Sequence, residues 1–338
     1  MAIRKSSLEG MGMKPADRFW KNKRVLVTGF EGFLGSNLAK TLLEKKAKVI
    51  GLDIRTFRKD TILCPKDYQK IVVYRGSVVN RTLVRNILRK HSINVIFHLA
   101  AEAIVGRSQV NPLNAFESNI TGTWEVLEAS RLRGGIQAIV VASSDKAYGS
   151  HKKLPYREDA ALIANHPYDV SKSCADLITN TYSHTYNLPV AITRCGNIYG
   201  PGDFNFSRLI PDAIRCILSG KTLKIRSNGK FIRDYVYIDD VVKGYIRIAE
   251  LLVEGKFAGE AFNLSDENPL TVVKLLKVID NLSFCSKKLK YKIMDTAKYE
   301  IREQYLSSQK AHRILGWKPE HSLKEGLNQT AEWHKRYL

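Results

Sequence analysis

The stretch TGFEGFLGSNL, residues 28–38, decides the fold. Its three glycines, Gly29, Gly32 and Gly35, recur at every third position between an apolar run and an amphipathic stretch. Glycine lets the backbone turn tightly and approach a pyrophosphate, which then lies on the amides at the start of a helix. The stretch therefore predicts a strand, a phosphate-binding turn and a helix, which together form a dinucleotide site.

A carboxylate in the right place strengthens this prediction. The next apolar run, VIGLDI, contains Asp53, about twenty residues beyond the glycines. A carboxylate there bonds both hydroxyls of an adenine ribose and repels a 2′-phosphate. The pattern favours NAD over NADP, with NADP left as the alternative because two cations, Arg55 and Arg58, lie nearby in the sequence.

Apolar runs and amphipathic stretches alternate through the first half of the chain. The runs KRVLVTGF, KVIGLDI, NVIFHLAA and AIVVASS alternate with helices expected near residues 35–45, 82–91 and 115–133. Such alternation is typical of βαβ units, in which helices cover both faces of a parallel sheet. We predict an α/β protein: a Rossmann-type doubly wound parallel sheet over residues 19–195, and a smaller C-terminal α/β substrate-binding domain over residues 196–338 that returns some segments to the first.

Composition excludes several classes of protein. A chain of 338 residues, of which 44% are hydrophobic, can bury a substantial core. The formal charge of +21 is spread over short basic runs mixed with apolar residues, such as RTFRKD and SKKLKYK. This spread indicates solvated faces and some attraction for anionic small substrates, and it argues against a nucleic-acid partner.

The chain carries no sign of export or of a membrane span. The N-terminal segment is basic but has no apolar stretch of signal-peptide length, and no run of about eighteen apolar residues occurs. The cysteines are scattered without a CxxC pair, so neither a disulfide framework nor a metal site is indicated. We expect a cytoplasmic protein, with thiols at Cys64, Cys174, Cys195, Cys216 and Cys285.

Two polar clusters follow the apolar runs. The stretch HPYDVSKSCADLI places Tyr168 and Lys172 four residues apart, on one face of an expected helix. A neighbouring ammonium favours the phenolate form of a phenol, whose ordinary pKa is about 10, so Tyr168 is a candidate base. The run VVASSDKAYG ends a strand in Ser144, Asp145 and Lys146, at the edge of the sheet where ligands bind. Taken alone, Tyr168 and Lys172 could be a surface pair.

Together, TGFEGFLG, FHLAA, SSDKAYG, YDVSK and RCGNIYGPGD resemble the extended short-chain dehydrogenase/reductase family that acts on nucleotide sugars with NAD. The resemblance runs from about Phe19 to the C-terminus. It implies that Ser144 bonds the sugar hydroxyl, that Tyr168 is the catalytic base, and that Lys172 assists it and holds the nicotinamide ribose. It also implies a homodimer paired through helices of the Rossmann half. The implied cofactor-binding residues are Gly29, Gly32, Phe33, Leu34, Gly35, Asp53, Ile54, Leu99, Ala100, Ala101, Asn119, Tyr168 and Lys172.

The resemblance also assigns residues to the substrate. Asn197 and Arg233 match positions that contact the diphosphate, and a planar guanidinium suits a bidentate contact of that kind. Arg208 and Arg226 would add positive charge around the nucleotide. Each of the three arginines could equally lie on the surface.

Asp145 and Lys146 decide between two reaction types. A 4-epimerase of this family needs only the Ser, Tyr and Lys set, whereas a 4,6-dehydratase also needs an acid–base pair to remove water across C5 and C6. Asp-Lys after the hydroxyl residue resembles CDP-glucose 4,6-dehydratases. The resemblance implies that Asp145 donates to O6 and that Lys146 acts at C5, either as a neutral base or as a charge that polarises the enolate while water removes the proton.

Two other hypotheses stay open. A UDP-sugar 4-epimerase or a UDP-glucuronate-type decarboxylase would use Asp145 and Lys146 only as a local ion pair. A dinucleotide-binding sensor or a nucleic-acid protein would have no need of Ser144, Tyr168 and Lys172 together.

Overall fold

The computed structural model describes residues 19–282, 288–297 and 300–337. Residues 1–18, on which the expectation about export rests, and Cys285 lie outside the described residues. The strands are β1 (Arg24–Thr28), β2 (Lys48–Asp53), β3 (Ile71–Arg75), β4 (Val95–His98), β5 (Ala138–Ala142), β6 (Val190–Cys195), β7 (Asn197–Tyr199), β8 (Leu223–Ile225), β9 (Ile232–Arg233), β10 (Tyr235–Tyr237), β11 (Ala261–Leu264), β12 (Leu270–Thr271), β13 (Tyr291–Ile293) and β14 (Glu303–Gln304).

Helices connect these strands. Among the helices that the structure describes, none is both long enough and apolar enough to cross a bilayer. The α-helices are α1 (Phe33–Glu44), α2 (Pro65–Tyr68), α3 (Arg81–His91), α4 (Val105–Val110), α5 (Pro112–Phe116), α6 (Gly122–Arg133), α7 (Pro167–Tyr186), α8 (Leu209–Ser219), α9 (Ile238–Val253), α10 (Val272–Asp280), α11 (Gln309–Leu315) and α12 (Leu323–His334).

The main sheet has seven parallel strands in the order β3-β2-β1-β4-β5-β6-β11. Successive side chains of a strand point to opposite faces. In β1, Val25 and Val27 pack into one core together with α1 and α9, while Leu26 packs into a second core together with α3 and α6. A strand buried on both faces reads as a continuous apolar run, which explains KRVLVTGF. The predicted doubly wound parallel sheet is confirmed.

Two local details differ from the sequence prediction. The edge strand β3 was not predicted, although its sequence IVVYR is a run of β-branched and aromatic residues that is typical of a strand. The helix predicted near residues 115–133 is helical throughout, but it is not α-helical throughout. Between α5 and α6 the backbone forms a π-helical turn at Glu117–Thr121, and this turn carries the buried Asn119. Such turns often occur at functional sites.

The C-terminal half adds one strand to the main sheet and forms small sheets of its own. Strand β11 lies parallel to β6 and completes the main sheet. The remaining strands form small sheets: β12-β9-β14, the pair β7-β10 and the pair β8-β13. The division of the chain into two domains near residue 195 stays a prediction.

The turn between β1 and α1 is tight at two glycines. Gly29 has a φ of +69°, in the region that favours glycine. A Cβ at Gly35 would lie only 2.1 Å from the carbonyl oxygen of Gly29. The first turn of α1 therefore packs directly against the backbone that leaves β1, and no larger residue fits between them.

Gly35→Ala is expected to lower the free energy of unfolding by about 1–3 kcal/mol, the range for overpacked sites, because the new methyl group meets backbone that cannot move aside. Urea unfolding of the ligand-free protein measures the change. Gly106→Ala is the control, since a Cβ there meets no atom within 4 Å, and it should stay within about 0.5 kcal/mol of the parent. A Gly35→Ala protein as stable as the parent would contradict this packing.

Candidate active site

A cavity of about 810 Å³ opens along the carboxyl ends of the parallel strands. Ligand sites usually measure about 300–1,000 Å³ and lie at this edge of a doubly wound sheet. With the exception of Asn119, every residue predicted to bind or react lines this cavity. These residues are Gly29, Gly32, Phe33, Leu34, Gly35, Asp53, Ile54, Leu99, Ala100, Ala101, Ser144, Asp145, Lys146, Tyr168, Lys172, Asn197, Arg208, Arg226 and Arg233.

One end of the cavity suits a dinucleotide. The N-terminus of α1 opens into it, with Gly32 as the residue before the helix and Phe33 and Leu34 in the lining. Free amides and the helix dipole at such a terminus attract phosphate. Because the close approach at Gly29 and Gly35 leaves no side chain in the way, the turn fits a pyrophosphate.

Asp53 lies at the end of β2, in the wall of the same end. Its carboxylate accepts the N–H of Glu31 at 3.2 Å and the N–H of Arg55 at 3.3 Å. Burial raises the pKa of Asp53, and these hydrogen bonds, together with the charge of Arg58, oppose the shift. The carboxylate is thus held at the position expected for a ribose diol.

A hydroxyl joins the ends of the two central strands. Thr28 Oγ1 at the end of β1 accepts the N–H groups of Leu99 at 3.1 Å and Ala100 at 3.2 Å, just beyond β4. It also lies 2.9 Å from Nδ1 of His98. Burial lowers the pKa of His98 to about 3, with the charge of Lys172 as a smaller cause, so this imidazole is neutral. The cavity wall at Leu99, Ala100 and Ala101 is fixed by this contact.

Asn119 lies behind the lining. Its side chain accepts the N–H of Glu102 at 2.8 Å, and it donates to the carbonyl of Glu102 at 3.1 Å and to Ser171 Oγ at 2.8 Å. It therefore fastens the segment after β4 to α7. This placement favours a positioning role for Asn119 over the direct cofactor contact that the resemblance implied.

Ser144 and Tyr168 meet at the end of β5. Ser144 caps the short 3₁₀ helix Asp145–Tyr148, accepts the N–H of Lys146 at 3.2 Å and donates to Asp145 Oδ1 at 3.0 Å. Burial raises the pKa of the Tyr168 phenol, and a hydrogen bond with Ser144 opposes the shift. Burial therefore sets the direction of the Tyr168 pKa, and the expectation that a cation favours its phenolate form stays a prediction.

Lys172 lines the cavity although its side chain is almost completely buried. Its Nζ donates to the carbonyl oxygen of Ala142, the last residue of β5, at 2.8 Å. Burial lowers the pKa of Lys172 to about 8, and the carboxylate of Asp176 opposes the shift. The ammonium is thus held one turn below Tyr168 on α7 and can change its protonation state near neutral pH.

Asp145 and Lys146 project from the 3₁₀ helix. Asp145 is 5% exposed, and its Oδ2 accepts no hydrogen bond from the described residues. Burial raises the pKa of Asp145, while Lys146 and the bond from Ser144 oppose the shift. Lys146 donates from Nζ to Gln304 Oε1, on β14, at 2.9 Å. The structure therefore presents one buried carboxyl group and one anchored ammonium to the same cavity.

Two further carboxyl groups lie behind this pair, and sequence reasoning missed them. Burial raises the pKa of Asp169 to about 6, with Lys146 opposing the shift and Asp145 adding to it. Burial likewise raises the pKa of Asp234 to about 7, with Ser265 opposing and Asp145 adding. The only sequence signal was the position of Asp169 directly after Tyr168.

The cavity lining also carries cationic side chains. Arg208 bonds Asp203 at 3.1 Å, and Arg226 lies 3.6 Å from Glu300. Arg233 donates to the carbonyls of Ile232, Ile301 and Arg302, and Asn197 donates to the carbonyl of Asp234 at 3.2 Å. Since Arg208, Arg226, Arg233 and Asn197 all line the cavity, it offers donors to an anionic group such as a diphosphate.

The arrangement fits an organic cofactor. Asp53, the glycine turn and Lys172 match the adenine ribose, the pyrophosphate and the nicotinamide ribose of a dinucleotide, and all three line the cavity. Among residues 19–282, 288–297 and 300–337, no group of three or more His, Cys, Asp or Glu side chains could hold a metal ion.

Comparisons with known proteins agree with the geometry. A family model described as GDP-mannose 4,6 dehydratase matches residues 26–330. The chain is 32% identical to a UDP-glucuronate 4-epimerase from Thermodesulfobacterium geofontis, over 93% of this chain and 96% of that protein. It is 29% identical to the CDP-glucose 4,6-dehydratase of Salmonella typhimurium, over 95% and 92%. A dTDP-glucose 4,6-dehydratase from Bacillus anthracis, solved with NAD, superposes with a TM-score of 0.81 at 28% identity and covers 93% of this chain and 97% of its own.

The lowered pKa of Lys172 predicts how the stability of the protein changes with pH. Because the pKa of Lys172 is about 8 in the folded protein and 10.5 in its reference state, the unfolded chain binds more protons between these values. Stability should therefore rise with pH across this window, by up to about 1.4 kcal/mol per pH unit relative to Lys172→Met, which has no such proton. Urea unfolding of both proteins from pH 7 to pH 10 measures the difference.

Lys221→Met, at an exposed lysine, is the matched control and should run parallel to the parent over the same range. If Lys172→Met also runs parallel to the parent, the lowered pKa of Lys172 is contradicted.

Proposed function

The chain belongs to the GDP-mannose 4,6 dehydratase family of NAD-dependent nucleotide-sugar dehydratases and epimerases, and from this premise we propose that it is a nucleotide-sugar 4,6-dehydratase. The substrate would be a nucleoside diphosphate hexose, and the product its 4-keto-6-deoxy form. One observation carries the proposal: Asp145, a buried carboxyl group with a raised pKa, lines the same cavity as Ser144, Tyr168 and Lys172. A 4-epimerase has no use for such an acid.

The first step is the oxidation of the hydroxyl at C4. NAD, held by the glycine turn, Asp53 and Lys172, would supply the two-electron oxidation at C4 and the later reduction at C6. Tyr168 takes the proton of the C4 hydroxyl, and Ser144 holds that hydroxyl by a hydrogen bond. Lys172, whose pKa is about 8, can follow this proton movement at neutral pH.

The second step removes water. A ketone at C4 acidifies the proton on C5, and the hydroxyl on C6 must gain a proton in order to leave. Asp145 supplies that proton, because burial raises its pKa and keeps it protonated at higher pH than an exposed aspartate. Lys146, anchored by Gln304, stabilises the enolate that forms as C5 loses its proton to water.

The substrate class follows from the charged and polar side chains that line the cavity. Arg208, Arg226, Arg233 and Asn197 offer donors to a diphosphate and leave the hexose beside Ser144. We propose CDP-glucose or a close analogue, because Asp145-Lys146 is the dipeptide expected of CDP-glucose dehydratases and because a CDP-glucose 4,6-dehydratase matches 95% of the chain.

A 4-epimerase is the second candidate, and the UDP-glucuronate 4-epimerase relative favours it. That relative is 32% identical to this chain, slightly more than the CDP-glucose dehydratase at 29%. Under this alternative Asp145 and Lys146 are only a local pair, and their substitution should leave turnover largely intact.

Pairing of two chains also stays a proposal. The family resemblance predicts a homodimer formed through helices of the Rossmann half. Large apolar side chains on α6 and α7 support it, since Trp124, Leu132 and Leu177 are 39%, 54% and 59% exposed.

Asp145→Asn should separate the two steps. The amide cannot protonate O6, so water loss should slow by about 10²–10⁴, the range for one general acid, while oxidation at C4 continues. The hexose 4-ketone that still carries its C6 hydroxyl should then accumulate in a single turnover. Quenching with borodeuteride places deuterium at C4 of this ketone, and mass spectrometry of the recovered sugar detects it.

Two variants serve as controls. Tyr168→Phe should give no labelled sugar, because the C4 hydroxyl keeps its proton. Asp169→Asn removes a neighbouring buried carboxyl group that does not line the cavity, and it should lose water within about tenfold of the parent. An Asp145→Asn protein that turns its substrate over at the parental rate would refute Asp145 as the acid.

A further inference from the structure

Glu31 stands in the middle of the glycine turn, and its side chain is almost completely buried, at 1% exposure. Its Oε1 accepts the N–H of Phe57 at 2.5 Å and the phenol of Tyr68 at 2.6 Å. Its Oε2 accepts the N–H of Arg58 at 3.1 Å. A buried carboxylate is therefore satisfied by three donors, all from the segment that follows β2.

Glu31 connects the end of β2 with the segment that follows it. Glu31 also donates its own N–H to Asp53 Oδ2 at 3.2 Å, so one residue contacts both the end of β2 and the segment after it. Phe57 adopts a φ of +58°, which is uncommon for a side chain of this size. Its ring lies 5.1 Å from that of Tyr68. The bonds from Glu31 hold the segment in this conformation.

The held conformation decides where Arg58 points. Its guanidinium donates two hydrogen bonds to the carboxylate of Asp60, one from Nε at 2.9 Å and one from Nη2. Both Arg58 and Asp60 line the cavity beside Asp53. Arg58 is thus paired within its own loop before any ligand arrives.

We propose that Glu31 is a positioning residue that sets cofactor specificity: it fastens the segment after β2 so that Arg58 pairs with Asp60, and the site therefore takes dinucleotides with a free ribose 2′-hydroxyl. The proposal rests on the proposed function, because it concerns the cofactor of that reaction. It also resolves the alternative that Arg55 and Arg58 left open in the sequence.

Electrostatics gives the physical reason. A 2′-phosphate would meet the carboxylates of Asp53 and Asp60, which line the cavity, and the buried carboxylate of Glu31 lies behind them. Its natural counter-ion, Arg58, would first have to leave Asp60. Because Arg58 already donates two hydrogen bonds to a carboxylate, the exchange offers a 2′-phosphate little gain over the free hydroxyl.

The test titrates the full-length protein and its variants with ADP-ribose and with 2′-phospho-ADP-ribose, by calorimetry. These ligands report on the adenosine end without turnover. The parent should prefer ADP-ribose by at least about tenfold, a difference of about 1.4 kcal/mol. Asp60→Ala should free Arg58 and strengthen binding of the 2′-phospho ligand by about tenfold.

Glu31→Gln should also reduce the preference for ADP-ribose over 2′-phospho-ADP-ribose. It should weaken the binding of ADP-ribose by about tenfold, because an amide cannot accept from all three donors. Tyr68→Phe removes one donor and keeps the carboxylate, so it should shift the preference less. Trypsin supplies a second readout: cleavage after Arg55, Arg58 or Lys59 should be faster in Glu31→Gln than in the parent. Asp67→Asn changes a carboxylate of the same segment that bonds only Cys64 N–H among the described contacts, and it should alter neither readout.

The outcomes are distinct. The role of Glu31 would be overturned, while the proposed function stands, if Glu31→Gln changed neither the ligand preference nor the rate of cleavage. A parent that prefers the 2′-phospho ligand would have the same consequence. If Glu31→Gln does not fold, the Tyr68→Phe and Asp60→Ala results decide in the same way. A parent that binds neither ligand would overturn this inference and the proposed cofactor together.

Discussion

The close contact between the backbone at Gly29 and the first turn of α1 is the constraint on which the rest of the site depends. With only 2.1 Å available for a Cβ at Gly35, the helix must start where it does, with its amides facing the cavity. Strand β1 ends beside β2 and β4, so Asp53 and the wall at Leu99 lie on either side of the same turn. Glu31 can reach the segment after β2 because the turn carries it there.

The reactive end of the cavity is built from buried charges that partly compensate one another. Burial alone would make each of Asp145, Asp169 and Asp234 costly in its ionised form, and it raises the pKa of all three. Lys146 opposes the shift at Asp145 and Asp169, and the buried Gln304 on β14 anchors Lys146. Natural proteins retain such arrangements where a function needs a group that gains or loses a proton near neutral pH.

Much of this architecture could be predicted from the sequence. Local signals sufficed for β1, the glycine turn, Asp53 and the four-residue spacing of Tyr168 and Lys172, because each depends on residues close together in the chain. The cavity lining agrees with these predictions at every position but Asn119, which lies behind it in a π-helical turn that periodicity does not reveal.

Other features depend on distant contacts. The bond from Lys146 to Gln304 spans 158 residues, and that between Tyr68 and Glu31 spans 37. The raised pKa of Tyr168 follows from burial, which neighbouring residues in the sequence do not show.

The central claim is that the cavity removes water from a nucleotide hexose, and the direct measurement is the product formed from CDP-glucose in heavy water with NAD present. Mass spectrometry and proton NMR of that product report two independent facts, the loss of one water and the label at C5. The account predicts a 4-keto-6-deoxy sugar that carries deuterium at C5, because the proton lost there is replaced from solvent. A C4 epimer that retains its oxygen and has no deuterium at C5 would contradict it. Parallel reactions with dTDP-, UDP- and GDP-glucose would show whether the nucleobase of the substrate or the reaction type is misassigned.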